Sequence, residues 1–264
     1  MYKIVKGLLS DSGKYFVSWL LILCVLSSQV VLAEDISVLF VGNSYTYAND
    51  MPRMLSSIAS SFGERVEAIM IAPGGYGWKE HAQNATTQAR IRERNWTFVV
   101  LQEQSQRPDW PAYQLQLDVY PPALQLDKLI HEGHSGTKTV FFETWGHRDG
   151  DKGNCANLPE TCTYEGMQSR LSATYAELAR QTGGMRAPVG TAWQKVRIAH
   201  PEINLYDSDG IHPSRQGSYL AACVFYVTFF RKMVLGADRM GLPGPEAEIL
   251  QRIAQETALL YVAQ

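Results

Sequence analysis

Short runs of apolar residues recur along the chain and alternate with longer stretches whose apolar positions follow helical spacing. A short continuous apolar run is typical of a strand that is buried on both faces of a sheet. Such runs predict strands at residues 36–41, 66–71, 97–101 and 139–142, with a weaker fifth near residues 188–190. The helical spacing predicts helices over residues 52–62, 79–94, 113–134, 164–181, 214–235 and 245–262. Strands that alternate with helices indicate an α/β fold, in which helices cover both faces of a mostly parallel sheet.

Composition narrows the class of protein. The chain has 264 residues, of which 45% are hydrophobic and 19% are charged. These proportions are ordinary for a globular protein, and the length suffices for one sizeable core. Because the formal net charge is only −2, electrostatics give no reason to expect binding to nucleic acid or to an anionic membrane. We therefore predict one folded domain without a nucleic-acid partner.

The first 33 residues have the pattern of a secretory signal peptide. Lys3, Lys6 and Lys14 precede an apolar run over residues 16–32, and small side chains stand at Val31 and Ala33. This order predicts cleavage after Ala33, a folded domain over residues 34–264, and a secreted or periplasmic protein without stable membrane insertion. Cleavage would remove three Lys and one Asp and leave a net charge of about −4. An uncleaved anchor is the alternative, because about 17 apolar residues is the lower limit for spanning a bilayer.

Cysteine usage agrees with export. Cys155 and Cys162 lie in the segment CANLPETC, and in an oxidising compartment a disulfide between them is the natural pairing. Two free thiols are the alternative. Cys223 lies in an apolar helical run and is predicted to be a buried free thiol. No further Cys or His cluster completes a tetrahedral ligand set, so the sequence predicts neither a metal site nor a cofactor.

Two short segments at opposite ends of the chain carry candidate chemistry. The segment VGNSYT places Ser44 directly after the first predicted strand, and DSDGIHPSRQG holds Asp209 and His212 three residues apart. Together they offer a nucleophile, a base and a carboxylate that orients the base, which is the set needed for acyl transfer through a serine ester. Asp207 is the competing carboxylate, and His147 is the runner-up base.

Other polar and glycine-rich segments follow the predicted strands. They are APGGYGW after the second strand, LQEQSQRP after the third, and TWGHRDG after the fourth. Ligands of open α/β sheets bind at the carboxyl ends of the strands, so these segments are expected to meet Ser44 in one place. Glycine backbone and glutamine amides can both donate hydrogen bonds to an oxyanion.

In this order of blocks the chain resembles the SGNH, or GDSL-like, hydrolase superfamily. Gly42, Asn43 and Ser44 match the first block, and the stretch from Asp209 to His212 matches the last. The resemblance implies a three-layer, flavodoxin-like α/β/α fold with a five-stranded sheet, and hydrolysis of carboxylic esters without a metal or cofactor. An α/β-hydrolase is disfavoured because no Gly-x-Ser-x-Gly motif occurs.

The resemblance also implies an oxyanion hole. Besides the N–H of Ser44, Gly77 stands for the family's glycine donor, with Gly75 as the alternative. Gln106 stands where the family has an asparagine, with Gln104 as the alternative. The chain thus resembles a branch of the superfamily in which the third block is rich in glutamine.

Aromatic and basic residues near the predicted loops indicate the substrate. Tyr45, Trp78 and Trp145 could stack on sugar rings, while His147 and Arg148 could bind polar groups. With secretion, this favours an acetyl ester of a carbohydrate or glycoconjugate as the substrate. The alternatives are a lipid acyl-ester hydrolase, an acyltransferase that uses the same residues, and a non-catalytic carbohydrate-binding protein on the same fold.

Overall fold

A five-stranded parallel sheet forms the core of the domain. The structure is a computed structural model that describes residues 35–262, and the predicted signal peptide lies outside the described residues. The strands are β1 (Asp35–Val41), β2 (Arg65–Ile71), β3 (Phe98–Leu101), β4 (Lys138–Phe142) and β5 (Met185–Ala187). Their order in the sheet is β2-β1-β3-β4-β5, and each neighbouring pair is parallel. The predicted α/β class with a five-stranded parallel sheet is confirmed.

The strand order reverses between β1 and β3. From β1 the chain moves to the edge strand β2 and then returns to the other side of β1 to form β3. The loops after β1 and β3 therefore leave the sheet towards opposite sides and open a crevice between them. In open α/β sheets such a switch point is where ligands bind. Ser44 follows β1 and the glutamine-rich segment follows β3, so both lie at this crevice.

Ten α-helices among the described residues connect and cover the strands. They are α1 (Ser44–Tyr47), α2 (Met51–Ser61), α3 (Trp78–Gln83), α4 (Ala85–Arg92), α5 (Ala112–Gln114), α6 (Tyr120–His131), α7 (Tyr164–Thr182), α8 (Val189–Ala199), α9 (Arg215–Phe230) and α10 (Gly244–Val262).

The helices divide between the two faces of the sheet. One core packs α2, α8, α9 and α10 against side chains such as Phe40 of β1 and Phe142 of β4. The other packs α3, α4, α6 and α7 against the alternate residues, such as Leu39 and Val99. Fourteen of the sixteen residues of α9 are buried, which explains why its sequence is apolar almost all round. This is the three-layer α/β/α arrangement that the sequence predicted.

Some element boundaries differ from the prediction. The fifth strand is Met185–Ala187, and the stretch predicted as that strand, at residues 188–190, instead begins α8. The helix predicted over residues 79–94 is two helices, because the Asn84 side chain accepts the N–H of Thr87 and starts a new helix there. A π-helical turn, Leu115–Val119, interrupts the third predicted helix.

The cysteines have the predicted arrangement. Cys155 and Cys162 form a disulfide whose Cα atoms lie 4.7 Å apart, and Cys223 is buried and free. The disulfide closes residues 155–162 within the segment between β4 and α7. Several residues of the site described below lie in the same segment, before the disulfide. No helix within residues 35–262 combines the length and the apolar character that crossing a bilayer requires.

Candidate active site

Ser44, His212 and Asp209 form one hydrogen-bonded chain. The Oγ of Ser44 lies 2.9 Å from Nε2 of His212, and Nδ1 of His212 lies 2.6 Å from Oδ2 of Asp209. Ser44 is the first residue of α1, directly beyond the end of β1. Although 168 residues separate them in sequence, the fold brings the nucleophile, base and carboxylate of the sequence prediction together.

The loop that carries His212 is built around the Asp209 carboxylate. Its Oδ1 accepts the backbone N–H groups of Ile211 at 2.8 Å and of His212 at 2.9 Å. Partial burial acts to raise the pKa of Asp209, but the His212 ring and these two N–H groups lower it to about 2. Asp209 therefore stays ionised at neutral pH. The competing carboxylate, Asp207, instead accepts the N–H of Ser208 at 2.7 Å.

The turn that presents Ser44 is fixed by Gln102, the first residue after β3. Its Oε1 accepts the N–H of Asn43 at 2.9 Å and the hydroxyl of Thr46 at 3.0 Å. A Cβ on Gly42 would lie 2.5 Å from that same oxygen, so only glycine fits at this position. The carbonyl of Gly42 also lies 2.8 Å from Nε2 of His81, and burial lowers the pKa of that imidazole. Close packing against Gln102 and the contact with His81 therefore fix the backbone at Gly42, two residues before Ser44.

Asn43 joins the three loops at the crevice. Its Nδ2 donates to the carbonyl of Tyr76 at 2.7 Å and to the carbonyl of Glu103 at 3.4 Å. The Tyr76 carbonyl belongs to the loop after β2, and the Glu103 carbonyl to the loop after β3. The asparagine of the first sequence block therefore positions the second and third blocks relative to the nucleophile.

Glu103 also joins the loop after β3 to the start of α3. Its fully buried carboxylate accepts the N–H of Gln104 at 2.7 Å and that of Trp78 at 3.1 Å. Burial raises the pKa of Glu103 to about 7, although the two N–H groups and Arg107, 3.7 Å away, act to lower it. The sequence gives no signal for this role, because a Glu between two Gln residues is typical of an ordinary polar loop.

The glycine-rich loop after β2 does not use Gly77 as the sequence predicted. The N–H of Gly77 donates to Oε2 of Glu80 at 2.8 Å, and a Cβ on Gly77 would lie 1.8 Å from Oε1 of Glu103. Gly77 is therefore required for close packing at the start of α3, away from the cleft. The hydrogen bond from Arg107 lowers the pKa of Glu80 to about 2, so this pair is ionised.

The alternative glycine, Gly75, is placed differently. It lines the same cleft as Ser44 and adopts φ +75°, a left-handed conformation that favours glycine. Among the hydrogen bonds of residues 35–262, none engages the N–H of Ser44 or of Gly75. These two N–H groups are therefore available to a ligand.

The two candidate glutamines also differ. Nε2 of Gln106 donates to Oδ1 of Asp151 at 2.6 Å, so its amide is directed at the segment between β4 and α7. Oε1 of Gln104 accepts the N–H groups of Gln106 and Arg107 at 2.9 and 3.3 Å, which turns its nitrogen to the other side. That nitrogen lies 3.3 Å from the Ser105 hydroxyl. The amide of Gln104, the alternative donor, is therefore held through both its oxygen and its nitrogen, whereas that of Gln106 is held only through its nitrogen.

All these loops line one cleft of about 630 Å³. Ser44, Gly75, Gln104 and His212 all lie on its walls. Four residues of the segment between β4 and α7 form a further wall, namely Asp149, Gly150, Lys152 and Gly153. Its lining is mostly polar side chains and glycine, with Tyr45, Tyr47 and Ile211 as the larger apolar members. The volume is sufficient for a small ligand or one end of a larger one.

Two of the predicted substrate-binding aromatics are core residues. Trp78 and Trp145 are fully buried, so neither can contact a substrate. Tyr45 is 3% exposed, and its ring stacks on Trp145 with centroids 4.4 Å apart. The indole N–H of Trp145 donates to the carbonyl of Ile211 at 3.1 Å. The stack therefore supports the loop of His212, whose ring lies edge-on to Tyr45 with centroids 5.8 Å apart.

His147 and Arg148, the two polar residues predicted to bind substrate, take different positions. His147 is buried at the cleft wall, 3.1 Å from the Ser105 hydroxyl. Arg148 packs its guanidinium against Gly210, where a Cβ would lie 3.0 Å from its Cζ, and its N–H donates to the Gly210 carbonyl at 2.8 Å. Arg148 thus supports the loop of Asp209 and His212 and does not line the cleft.

Asn49, which follows Ser44 in the chain, is hydrogen bonded to the segment that follows His212. Its Nδ2 donates to the carbonyl of Pro213, the residue after His212, and to Oγ of Ser218 on α9, both at 3.0 Å. The Ser218 hydroxyl in turn donates to the carbonyl of Ala48 at 3.2 Å. Asn49 has φ 54° and ψ 18°, a left-handed conformation that asparagine tolerates better than most residues. Sequence spacing gives no signal for this contact.

Comparison with known proteins shows similarity in structure. No protein-family model and no curated protein matches the chain. A DUF4886 family protein from Bacteroides uniformis matches with a TM-score of 0.73 and 18% identity, over 88% of this chain and 97% of its own. A proposed SGNH hydrolase from Slackia heliotrinireducens matches with a TM-score of 0.59 and 29% identity, over 73% of this chain and 98% of its own.

An acetylxylan esterase from Geobacillus stearothermophilus also matches. Its TM-score is 0.55 and its identity 13%, over 78% of this chain and 99% of its own. Each of the three matches extends over nearly the whole of the other protein. The similarity therefore concerns the entire fold and not an isolated motif.

Proposed function

We propose that this chain is an SGNH-like hydrolase that cleaves carboxylic esters through an acyl-enzyme on Ser44, and its similarity in structure to a proposed SGNH hydrolase supports this. The observation that carries the proposal is the continuous chain from Ser44 Oγ through His212 to Asp209, with distances of 2.9 and 2.6 Å. These distances are within the hydrogen-bond reach that a nucleophile and its general base require.

Ser44, His212 and Asp209 have distinct roles in the proposed reaction. Nε2 of His212 takes the Ser44 proton as Oγ bonds to the ester carbonyl carbon, and the carbonyl oxygen becomes an oxyanion. The tetrahedral intermediate then expels the alcohol, which receives the proton from Nε2 and leaves an acyl ester on Ser44. Water repeats these steps with His212 as the base, and the carboxylic acid leaves. The ionised Asp209 holds the imidazole and stabilises its positive form.

The oxyanion requires donors that are in place before the reaction. We assign this role to the N–H groups of Ser44 and Gly75 and to the second N–H of Gln104, because all three residues line the cleft and these N–H groups have no other acceptor within residues 35–262. Donors of this kind act most strongly when the surrounding loops cannot relax around the new charge. Asn43 and Glu103, which join the three loops, provide that rigidity.

The lining of the cleft favours a short acyl group on a polar alcohol. Glycine backbone, glutamine amides and charged residues such as Lys152 and Asp149 surround the triad, and few large apolar side chains are present to bury a long acyl chain. Exposed Tyr47, with 44% of its surface accessible, could stack on a sugar ring at the cleft mouth. The acetylxylan esterase among the structural neighbours supports the same class, an acetyl ester of a carbohydrate.

We propose that the protein acts outside the cytoplasm. The Cys155–Cys162 disulfide forms in an oxidising compartment, and the leader sequence over residues 1–33 has the features of a cleaved export signal. We infer a secreted or periplasmic enzyme that acts on glycans or glycoconjugates.

A panel of esters tests the substrate class. The purified domain is assayed on 4-nitrophenyl acetate, butyrate, octanoate and palmitate and on acetylated xylo-oligosaccharides, with Ser44→Ala as the control for background hydrolysis. The proposal predicts Ser44-dependent release of acetate and little activity on octanoate or longer chains. Activity confined to long chains would replace it with a lipid acyl-ester hydrolase. Acetyl transfer to an added sugar, in preference to water, would indicate an acyltransferase.

A further inference from the structure

Two polar side chains of the cleft, Ser105 and His147, have no part in the mechanism derived above. Each is only 7% exposed, and both line the cleft together with Ser44. The Oγ of Ser105 lies 3.1 Å from Nε2 of His147. Burying polar groups is costly unless they are hydrogen bonded, so this pair requires an explanation in terms of what it holds in place.

The amide of Gln104 is the third member of this group. Its Oε1 is held by two backbone N–H groups, those of Gln106 and Arg107. The amide cannot turn over without losing both hydrogen bonds, so Nε2 stays on the side of Ser105, 3.3 Å from its hydroxyl. An amide nitrogen carries two hydrogens, and a second N–H therefore remains for the cleft.

The hydroxyl of Ser105 can satisfy both of its neighbours. Nε2 of Gln104 can only donate, so Ser105 Oγ accepts from it. When a neutral His147 has its proton on Nδ1, the same hydroxyl donates its own hydrogen to Nε2 of that ring. Burial lowers the pKa of His147 and favours that form, although Asp151 and Asp209 act in the opposite direction.

We propose that Ser105 and His147 are positioning residues for the oxyanion hole: they fix one N–H of Gln104 and thereby aim the other at the substrate oxygen. The inference rests on the proposed function, in which Gln104 supplies that donor. It explains how a glutamine, with one methylene more than asparagine, is held rigidly enough to serve. Without the Ser105 hydroxyl as an acceptor, only the two hydrogen bonds to Oε1 would hold the amide of Gln104 in place.

A second nucleophile and base is the other role that a buried Ser–His pair suggests. Asp209 accepts a hydrogen bond from Nδ1 of His212, whereas no carboxylate among residues 35–262 accepts one from Nδ1 of His147. The arrangement therefore lacks the group that orients the base in a triad. The Ser105 hydroxyl is already engaged by Gln104 and His147, which suits a positioning role.

A double-mutant cycle tests the inference directly. Turnover of an acetyl ester is measured for the wild type, Ser105→Ala, Gln104→Ala and the double variant. We expect Ser105→Ala to lower kcat by about tenfold, the factor for one hydrogen bond, with KM changed less than about twofold. In the Gln104→Ala background, Ser105→Ala should have almost no further effect, because the group that it positions is gone.

Conservative variants supply a readout that a merely structural role would not give. Ser105→Thr keeps the hydroxyl and should recover most of the rate lost in Ser105→Ala. The amide oxygen of His147→Gln can still accept a hydrogen bond from Ser105, whereas the ring of His147→Phe cannot. We therefore expect kcat to fall less in His147→Gln than in His147→Phe. If a variant fails to give a cooperative thermal transition, the other position of the pair carries the same comparison.

The outcomes separate this inference from the proposed function. Additive effects of Ser105→Ala and Gln104→Ala, or an unchanged kcat in Ser105→Ala, would overturn the positioning role and leave the triad intact. A wild type that hydrolyses no ester and whose Ser44 does not react with a fluorophosphonate would overturn the proposed function, and the inference with it. Reaction of the fluorophosphonate at Ser105 would instead identify that pair as the nucleophile and its base.

Discussion

The Asp209 carboxylate accepts the imidazole Nδ1–H of His212 at 2.6 Å and the backbone N–H of the same residue at 2.9 Å. One acidic side chain therefore fixes both the ring of the base and the backbone that carries it. Gly210, at φ +71°, allows the tight turn between the two residues, and Arg148 packs against it. The orientation of His212 is thus set within a segment of four residues, before any substrate binds.

Separate substitution of Asp209 and Asp207 tests which carboxylate orients His212. Asp209→Asn should lower kcat by roughly 10³–10⁴-fold, because the amide cannot hold the imidazole in the required tautomer. Asp207→Asn is the matched control, since that carboxylate accepts only the N–H of Ser208 among the hydrogen bonds described. We expect it to change kcat by less than about threefold. A larger loss in Asp207→Asn than in Asp209→Asn would reverse the assignment.

The two glutamines give a second paired comparison. Gln104→Ala removes the proposed side-chain donor of the oxyanion hole, and we expect kcat to fall by about 10²–10³-fold with a small change in KM. Gln106→Ala removes a hydrogen bond to Asp151 and should affect the segment between β4 and α7 more than the chemistry. Steady-state kinetics of both variants on an acetyl ester would check this. Equal losses would show that the donor is not Gln104 alone.

Glu103 should make stability depend on pH in a specific direction. Its pKa is raised to about 7 in the folded protein, while the unfolded chain releases this proton near pH 4.5. Between these values the unfolded state binds fewer protons, so stability falls as pH rises from about 4.5 to 7. Compared with Glu103→Gln, the wild type should therefore lose up to about 3 kcal/mol over that interval. Urea unfolding of both proteins at pH 5 and pH 8 measures the difference, and a constant gap would contradict it.

Asn49 should contribute to both stability and turnover. Asn49→Asp keeps the shape and the tolerance for a left-handed backbone, but it replaces the donor with an oxygen that faces the Pro213 carbonyl. We expect a loss of about 1–2 kcal/mol in the free energy of unfolding and a several-fold lower kcat. Asp50→Asn is the control, because Asp50 is also left-handed but its side chain caps no helix. Equal effects of the two variants would show that backbone conformation, and not the hydrogen bond, matters.

The sequence could predict those parts of the fold and site that depend on local pattern. Short apolar runs predicted four of the five strands and the parallel sheet. Helical spacing predicted that helices cover both faces of the sheet and that Cys223 is buried. The fifth strand has only three residues, and Pro188 directly after it obscured the boundary. The disulfide followed from spacing and compartment alone.

Long-range contacts explain what the sequence missed. Trp78 and Trp145 follow strands, as loop residues would, yet both are buried. Tyr175 of α7 packs against the ring of Trp78, and Trp193 of α8 stacks on that of Trp145. The choice between Gly75 and Gly77 depends on whether Glu80 reaches back to the Gly77 N–H, which spacing cannot reveal. Asn49, Glu103 and Ser105 act through partners in other segments, so no local pattern identifies them.

Covalent labelling of Ser44 tests the central claim most directly. The wild type, Ser44→Ala and His212→Gln are incubated with a fluorophosphonate at neutral pH, and the labelled peptide is identified by mass spectrometry. The account predicts one label, on Ser44, that is absent in Ser44→Ala and forms at least about 10³-fold more slowly in His212→Gln. A folded wild type that remains unlabelled, or a label on any other serine, would contradict it.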